Sequence, residues 1–417
     1  MSRLPLVLHI CMCLASSVAV AQFRVGASSA VITPDNGSFV AGHSQNRRFN
    51  GVNDDLYVKA VAVSQGRESV VILTFDCIGL LYPQLQEIRR IADRKILWPR
   101  FKGGRVVMSS THTHSGPDVV GIWGPDMAHT GVDAAYLDDL ERLAAHQVRK
   151  AWRRRKKAKA VYSVSEHGAE WVYNISEPGE LDRTLTTLAF RRGKKTLATL
   201  TNFACHPTIL DGVNEKVSSD YVGGYYRRMN DSIGGVNLFL QGAIGGWVQP
   251  ENEEKTFARA DLRGSQLADS VIEGLLTAKP LRKGGIDFAS RAFKLPVDNI
   301  GFRQLSAVGV INRKISDVVE TEVSAFRIGE AMFATHPGES FPAMSLATRE
   351  LLRTDGPKFI MGLGNDAIGY ILKPDYFEKE SRIPHCKYLS SMSAGAGTAA
   401  AVMRVLEEIT RLVVENP

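Results

Sequence analysis

The chain has 417 residues, 44% of them hydrophobic and 8% aromatic, with 37 Gly and 17 Pro. That is ample apolar material for a large core and a near-average globular composition, which excludes disordered, collagen-like and low-complexity chains. The 51 Lys and Arg against 44 Asp and Glu leave a formal charge of +7, which points to an anionic partner only if it is concentrated or spread in a way that a partner can read.

In chain order the first feature is an export signal. Arg3 is the only charge before Arg24, an apolar run follows it, and Ala19-Val20-Ala21 supplies a small-x-small cleavage pattern before Gln22. Residues 1–21 read as a secretory signal peptide. No other stretch approaches the ~18 apolar residues of a membrane span, so residues 22–417 are expected to be secreted or periplasmic. Cys11 and Cys13 fall inside the signal. Cys77, Cys205 and Cys386 remain, too few and too far apart for a disulfide scaffold, and the first two sit beside apolar runs as small buried hydrophobes.

Strand-like runs follow at 69–75, 105–109, 196–202, 237–241, 323–328, 331–335 and 358–362. Helix-periodic segments alternate with them at 83–96, 136–155, 219–233, 257–276, 342–353 and 398–414. Gly329-Glu330, between two strand-like runs, reads as a hairpin turn. The alternation predicts an α/β fold of mixed α+β layers. Residues 22–417 read as one domain, with a small subdomain near 280–320 as the alternative.

The basic excess is local. Arg149, Lys150, Arg153, Arg154, Arg155, Lys156, Lys157 and Lys159 fall in eleven residues without an acid, and removing these eight leaves a net charge of −1. At the end of the predicted helix 136–155 they complement its carbonyl terminus and stay solvated. Peripheral contact with an anionic membrane is the second reading. Nucleic acid is not supported, since no zinc-finger or RNP-like pattern is present.

Potential ligands collect just after strands. The run at 105–109 leads into Thr111-His112-Thr113-His114, that at 196–202 into His206-Pro207, that at 331–335 into His336-Pro337-Gly338-Glu339, and that at 358–362 towards Tyr370. In open α/β sheets functional groups gather at such carboxyl ends. His-x-His on extended backbone points both rings one way, and imidazole with carboxylate suits zinc that keeps one position open for water. A metal there would activate that water and polarise a carbonyl.

STHTHSGP at 110–117, FACHPT at 203–208, HPGESFPAM at 336–344 and GLGNDAIGY at 362–370 together resemble the neutral/alkaline, non-lysosomal ceramidase family. Softer matches lie between them, so the likeness runs in order along most of residues 22–417. The resemblance implies a ceramidase-like catalytic domain with its metal site at strand carboxyl ends and one zinc held by His112, His206, Glu339 and Tyr370. It implies hydrolysis of the N-acyl amide of ceramide-like lipids by metal-activated water, with His114 handling protons beside the metal. Three departures stand out. Gln249, in Gly245-Gly246-Trp247-Val248-Gln249-Pro250, occupies the place of the family's serine and offers an amide to an oxyanion instead of a nucleophile. Ile175 stands where the family has an arginine. The family's C-terminal β-sandwich domain has no counterpart, and Tyr388 is the nearest candidate for a tyrosine that follows the last ligand. Two further readings stay open: a related zinc amidase or esterase with a non-sphingolipid substrate, and a binding protein that keeps the zinc but has lost turnover.

Overall fold

In the computed structural model, residues 22–93, 105–251, 253–282 and 284–414 are described. The predicted signal peptide and the last three residues of the predicted helix 83–96 lie outside them. The main sheet has the order Val106–Ser110, Glu68–Phe75, Tyr57–Gln65, Gln22–Val31, Lys156–Glu166, Thr184–Arg192, Lys195–Phe203 and Val236–Gln241, with the short Lys279–Pro280 added to Lys156–Glu166. It is parallel only in its two outer pairs. The strands alternate between two cores: Ala60 and Ala62 face one, Val61 and Val63 the other. With both faces covered, such strands read as continuous apolar runs.

A second sheet joins Ile286–Pro296, Val318–Ile328, Ala331–Thr335 and Lys358–Met361. Phe288, Phe326, Phe333 and Phe359, one from each strand, stack with ring centroids 5.9, 4.6 and 4.3 Å apart. This ladder packs into the same core as Ile72, Leu200 and Leu238 of the main sheet. Helices Tyr82–Asp93 and Ala134–Arg153 cover one outer face through Leu85, Ile88, Leu140 and Val148. Helices Tyr221–Ser232 and Phe257–Leu276 cover another, and Pro342–Leu351 with Thr398–Val414 cover the second sheet. The result is the predicted mixture of α and β layers. Arg89 ties two of them, donating to both Glu322 oxygens at 2.7 and 2.8 Å.

The main sheet curls far enough for Tyr57–Gln65 and Val106–Ser110 to touch Val236–Gln241 across the core. Twist of roughly 20–25° per strand over seven steps comes to about half a turn. This brings together the carboxyl ends of Val106–Ser110 and Lys195–Phe203, which are far apart in strand order.

Several expectations change. The helix predicted to reach 155 ends at Arg153, and Lys156 begins a strand, so the basic run straddles the turn. Lys150 and Arg153 do lie in the last helical turn. Within residues 280–320, Ile286–Pro296 pairs along its whole length with Val318–Ile328 of the second sheet. The two-residue turn forms as expected, with Gly329 at φ 62°. Cys77 and Cys205 are buried, and no cysteine among the described residues is bridged. Among the described residues no helix is long and apolar enough to cross a membrane.

Candidate metal centre

His112 follows Val106–Ser110 in a turn, not on extended backbone: its φ is 69°, in the left-handed region. The His-x-His pair therefore meets through a kink, fixed by hydrogen bonds from the Thr111 and His112 N–H groups to the Phe75 and Cys77 carbonyls. The rings of His112 and His114 still lie 4.9 Å apart between centroids. His206 follows Lys195–Phe203, and its ring lies 5.0 Å from His112 and 5.7 Å from His114. One nitrogen of each of the three lies within 4.8 Å of the others. Glu339 and Tyr370 arrive on a short parallel pair, Glu339–Ser340 with Tyr370–Ile371, directly opposite each other.

Gln241 locks the two histidine loops together. Its Nε2 donates to the Thr111 and Cys205 carbonyls, both at 2.9 Å, and its Oε1 accepts from the Cys205 and Gly242 N–H groups. Each bonded carbonyl belongs to the residue just before a histidine.

The tautomers decide whether this group suits a cation. His112 Nδ1 donates to the Ile78 carbonyl at 2.5 Å and His206 Nδ1 to the Val248 carbonyl at 2.7 Å. A carbonyl only accepts, so each ring carries a proton on Nδ1, and Nε2 is the nitrogen that offers a lone pair in the neutral form. Those atoms face one Glu339 oxygen, at 3.4 and 3.1 Å. Burial would raise the Glu339 carboxyl, yet the charge interactions and hydrogen bonds from His112 and His206 bring it down to about 2. In the neutral form two imidazole lone pairs and a carboxylate oxygen converge, a donor set that a metal cation would satisfy. His114 adds two buried ring nitrogens without a hydrogen-bond partner among the described residues. The donor set fits a metal ion.

The Tyr370 hydroxyl accepts from Trp247 Nε1 at 2.8 Å. Burial, then the neighbouring Glu339 charge, holds its phenol well above the usual range. Trp247 also packs against Tyr388, with ring centroids 5.5 Å apart. Two clefts meet at this cluster, sharing Gly42, His114, Tyr370 and Tyr388. One, of about 900 Å³, is lined chiefly by apolar groups such as Leu81, Val120, Trp123, Phe302 and Ile368. The other carries His43, Thr208, Asp211 and Gln249 beside Ile175 and Trp247. Gln249 is thus near the cluster, and among the described residues its side chain has no hydrogen bond to it.

His336 separates from the other histidines. It is fully buried, bonded to Ser340 and Thr348 hydroxyls at 2.6 and 3.0 Å, and burial lowers it to about 3. His43, whose ring centroid is 5.0 Å from that of His114, was not foreseen. The adjoining Gly42 is the local signal: a Cβ there would lie 2.4 Å from the His114 ring. Trp247 and Gln241 carry no local signal beyond a polar group closing an apolar strand.

No protein-family model and no curated protein matches the chain. Among solved structures it is similar to the neutral ceramidase from Pseudomonas aeruginosa, with a TM-score of 0.77 and 16% identity over 95% of this chain and 75% of that one. A structure described as a ceramidase complexed with C2 matches with a TM-score of 0.76 and 14% identity, over 94% and 75%. The chain adopts a neutral-ceramidase-like fold.

Proposed function

We propose that the chain is an exported, zinc-dependent hydrolase that cleaves the N-acyl amide of ceramide-like lipids. The observation that carries this reading is the convergence of His112 Nε2 and His206 Nε2 on one Glu339 oxygen beside an apolar cleft. The likeness in fold to ceramidases supports the choice of substrate class. His112, His206, Glu339 and Tyr370 hold the zinc. When bound, zinc supplies a Lewis acid for the amide carbonyl and brings the pKa of water towards neutrality. The apolar cleft holds the acyl chain and keeps bulk water from the scissile bond. His114, at the junction of the clefts, delivers a proton to the leaving amine, help worth ~10²–10⁴-fold in rate. The Gln249 amide and the Tyr388 hydroxyl offer hydrogen bonds to the oxygen that gains charge.

A second reading keeps the zinc but takes a non-sphingolipid amide or ester. It is favoured by the polar second cleft, where Ile175 and Gln249 replace the arginine and serine of the ceramidase pattern. A panel of N-acyl sphingosines, N-acyl amino alcohols and acyl esters, offered to zinc-loaded protein, separates the two. Preferential cleavage of the sphingosine amides supports the first reading, whereas preference for another member selects the second. No turnover of any member, alongside saturable lipid binding, would leave only a binding protein.

A further inference from the structure

At the other end of strand Glu68–Phe75 from the histidine cluster lies a separate cleft lined by Arg24, Arg67, Arg155, Trp152, Glu68 and Ser64. Seven residue steps of ~3.4 Å put it about 24 Å from Phe75, beside which the His112 turn begins. We propose that this cleft is a binding site for a phosphate-class oxyanion.

The chain builds the site from three separate segments. Arg24 lies on the first strand, Arg67 follows the hairpin glycine Gly66, and Arg155 closes the turn between helix Ala134–Arg153 and strand Lys156–Glu166. Gly26 lets the helix end approach that closely, for a Cβ there would sit 2.2 Å from the Ala151 carbonyl oxygen and 2.7 Å from the Arg155 nitrogen. Arg24 Nη2 then donates to the Arg155 carbonyl at 3.1 Å. Pairing of Arg24 with Lys157 adds a further cation beside it on the sheet.

Among the described residues the arginines of this cleft lack acidic partners. Glu68 is the only acid among the described residues that lines it, and that carboxylate is already ion-paired with Arg105. Among the described residues none of Arg24, Arg67 and Arg155 forms an ion pair. The Arg155 guanidinium stacks on the Trp152 ring, 3.1 Å from its centroid, and its Nε and Nη1 are buried without an acceptor among the described residues. Burial, with Arg24 adding to it, lowers Arg155 to about 10. Like charges held together around buried, unsatisfied donors call for an anion with several acceptor oxygens, and guanidinium forks match phosphate in shape as well as charge. The same chemistry is offered by free phosphate and by the phosphate of a lipid headgroup. Arg149, by contrast, is occupied, since it donates to the Ile91 carbonyl.

The test uses mature full-length protein and the Arg24→Gln/Arg67→Gln double variant. Each is titrated calorimetrically with inorganic phosphate against chloride at equal ionic strength, and mixed with phosphatidylcholine vesicles with and without phosphatidic acid. The proposal expects saturable binding of phosphate, of phosphatidic acid vesicles or of both, weakened at least about tenfold in the variant, or by roughly 1.4 kcal/mol. Binding to vesicles alone assigns the anion to a lipid headgroup, and binding of free phosphate assigns it to solution. Circular dichroism and unchanged zinc content establish that the variant is folded. No saturable binding of either probe, binding equal to that of chloride, or binding that survives in the folded variant overturns the proposal.

Discussion

At the scale of single residues, the account rests on two imidazoles whose Nδ1 protons are held by main-chain carbonyls. His112→Ala and His206→Ala should each remove the bound zinc and the hydrolysis together, as measured by metal content and turnover of the same preparation. Trp247→Phe removes one donor to the Tyr370 hydroxyl and should weaken zinc by ~10–100-fold, as outer partners of metal ligands generally do. Competition with a zinc chelator reads this directly, and an unchanged affinity would remove Trp247 from the centre. His112, His114, His206, Glu339 and Tyr370, which the fold brings close together, each stand in a short distinctive string at or soon after a strand end. His43, Trp247 and Gln241 were not legible in the sequence, because their contacts depend on how distant strands meet. The two rings of the His-x-His do lie side by side, but not through extended backbone, since His112 turns left-handed.

At the scale of elements, Gln241 at the end of Val236–Gln241 fastens the two histidine loops. Gln241→Leu leaves the Thr111 and Cys205 carbonyls and two N–H groups without their partner. The expected cost is ~1–3 kcal/mol for each group left buried and unsatisfied, visible as a lower urea midpoint together with weaker zinc. A destabilised variant with undiminished zinc affinity would limit Gln241 to a structural role. His167, beyond strand Lys156–Glu166, packs edge-on against Trp171 and Phe203. Burial, with Arg263 adding to it, lowers it from 6.5 to about 4. Between those values the unfolded chain takes up a proton that the folded chain refuses. Its contribution is therefore whole above pH 6.5 and is lost as pH falls towards 4, by on the order of 2–3 kcal/mol. His167→Phe should flatten that part of the stability profile, and an unaltered acid slope would contradict the assignment. Helices were the most legible elements, because their apolar spacing survives packing: 257–276 and 398–414 were recovered to the residue. Strands such as Gln22–Val31, Lys156–Glu166 and Ile286–Pro296 escaped because small or charged residues dilute their β signal. Their pairing is decided by neighbours far along the chain.

At the scale of the molecule, the twist of one sheet gathers into one cleft junction what the chain order keeps apart. The charge of +7 resolves into a neutral body and one basic end, and that end lies remote from the histidine cluster. The most direct test joins metal analysis to catalysis in one preparation. Purified mature protein is assayed for zinc and for cleavage of a ceramide, then stripped with chelator and reloaded. The account predicts one zinc per chain, cleavage that disappears with the metal, and recovery in proportion to zinc restored. Full cleavage by metal-free protein would contradict it.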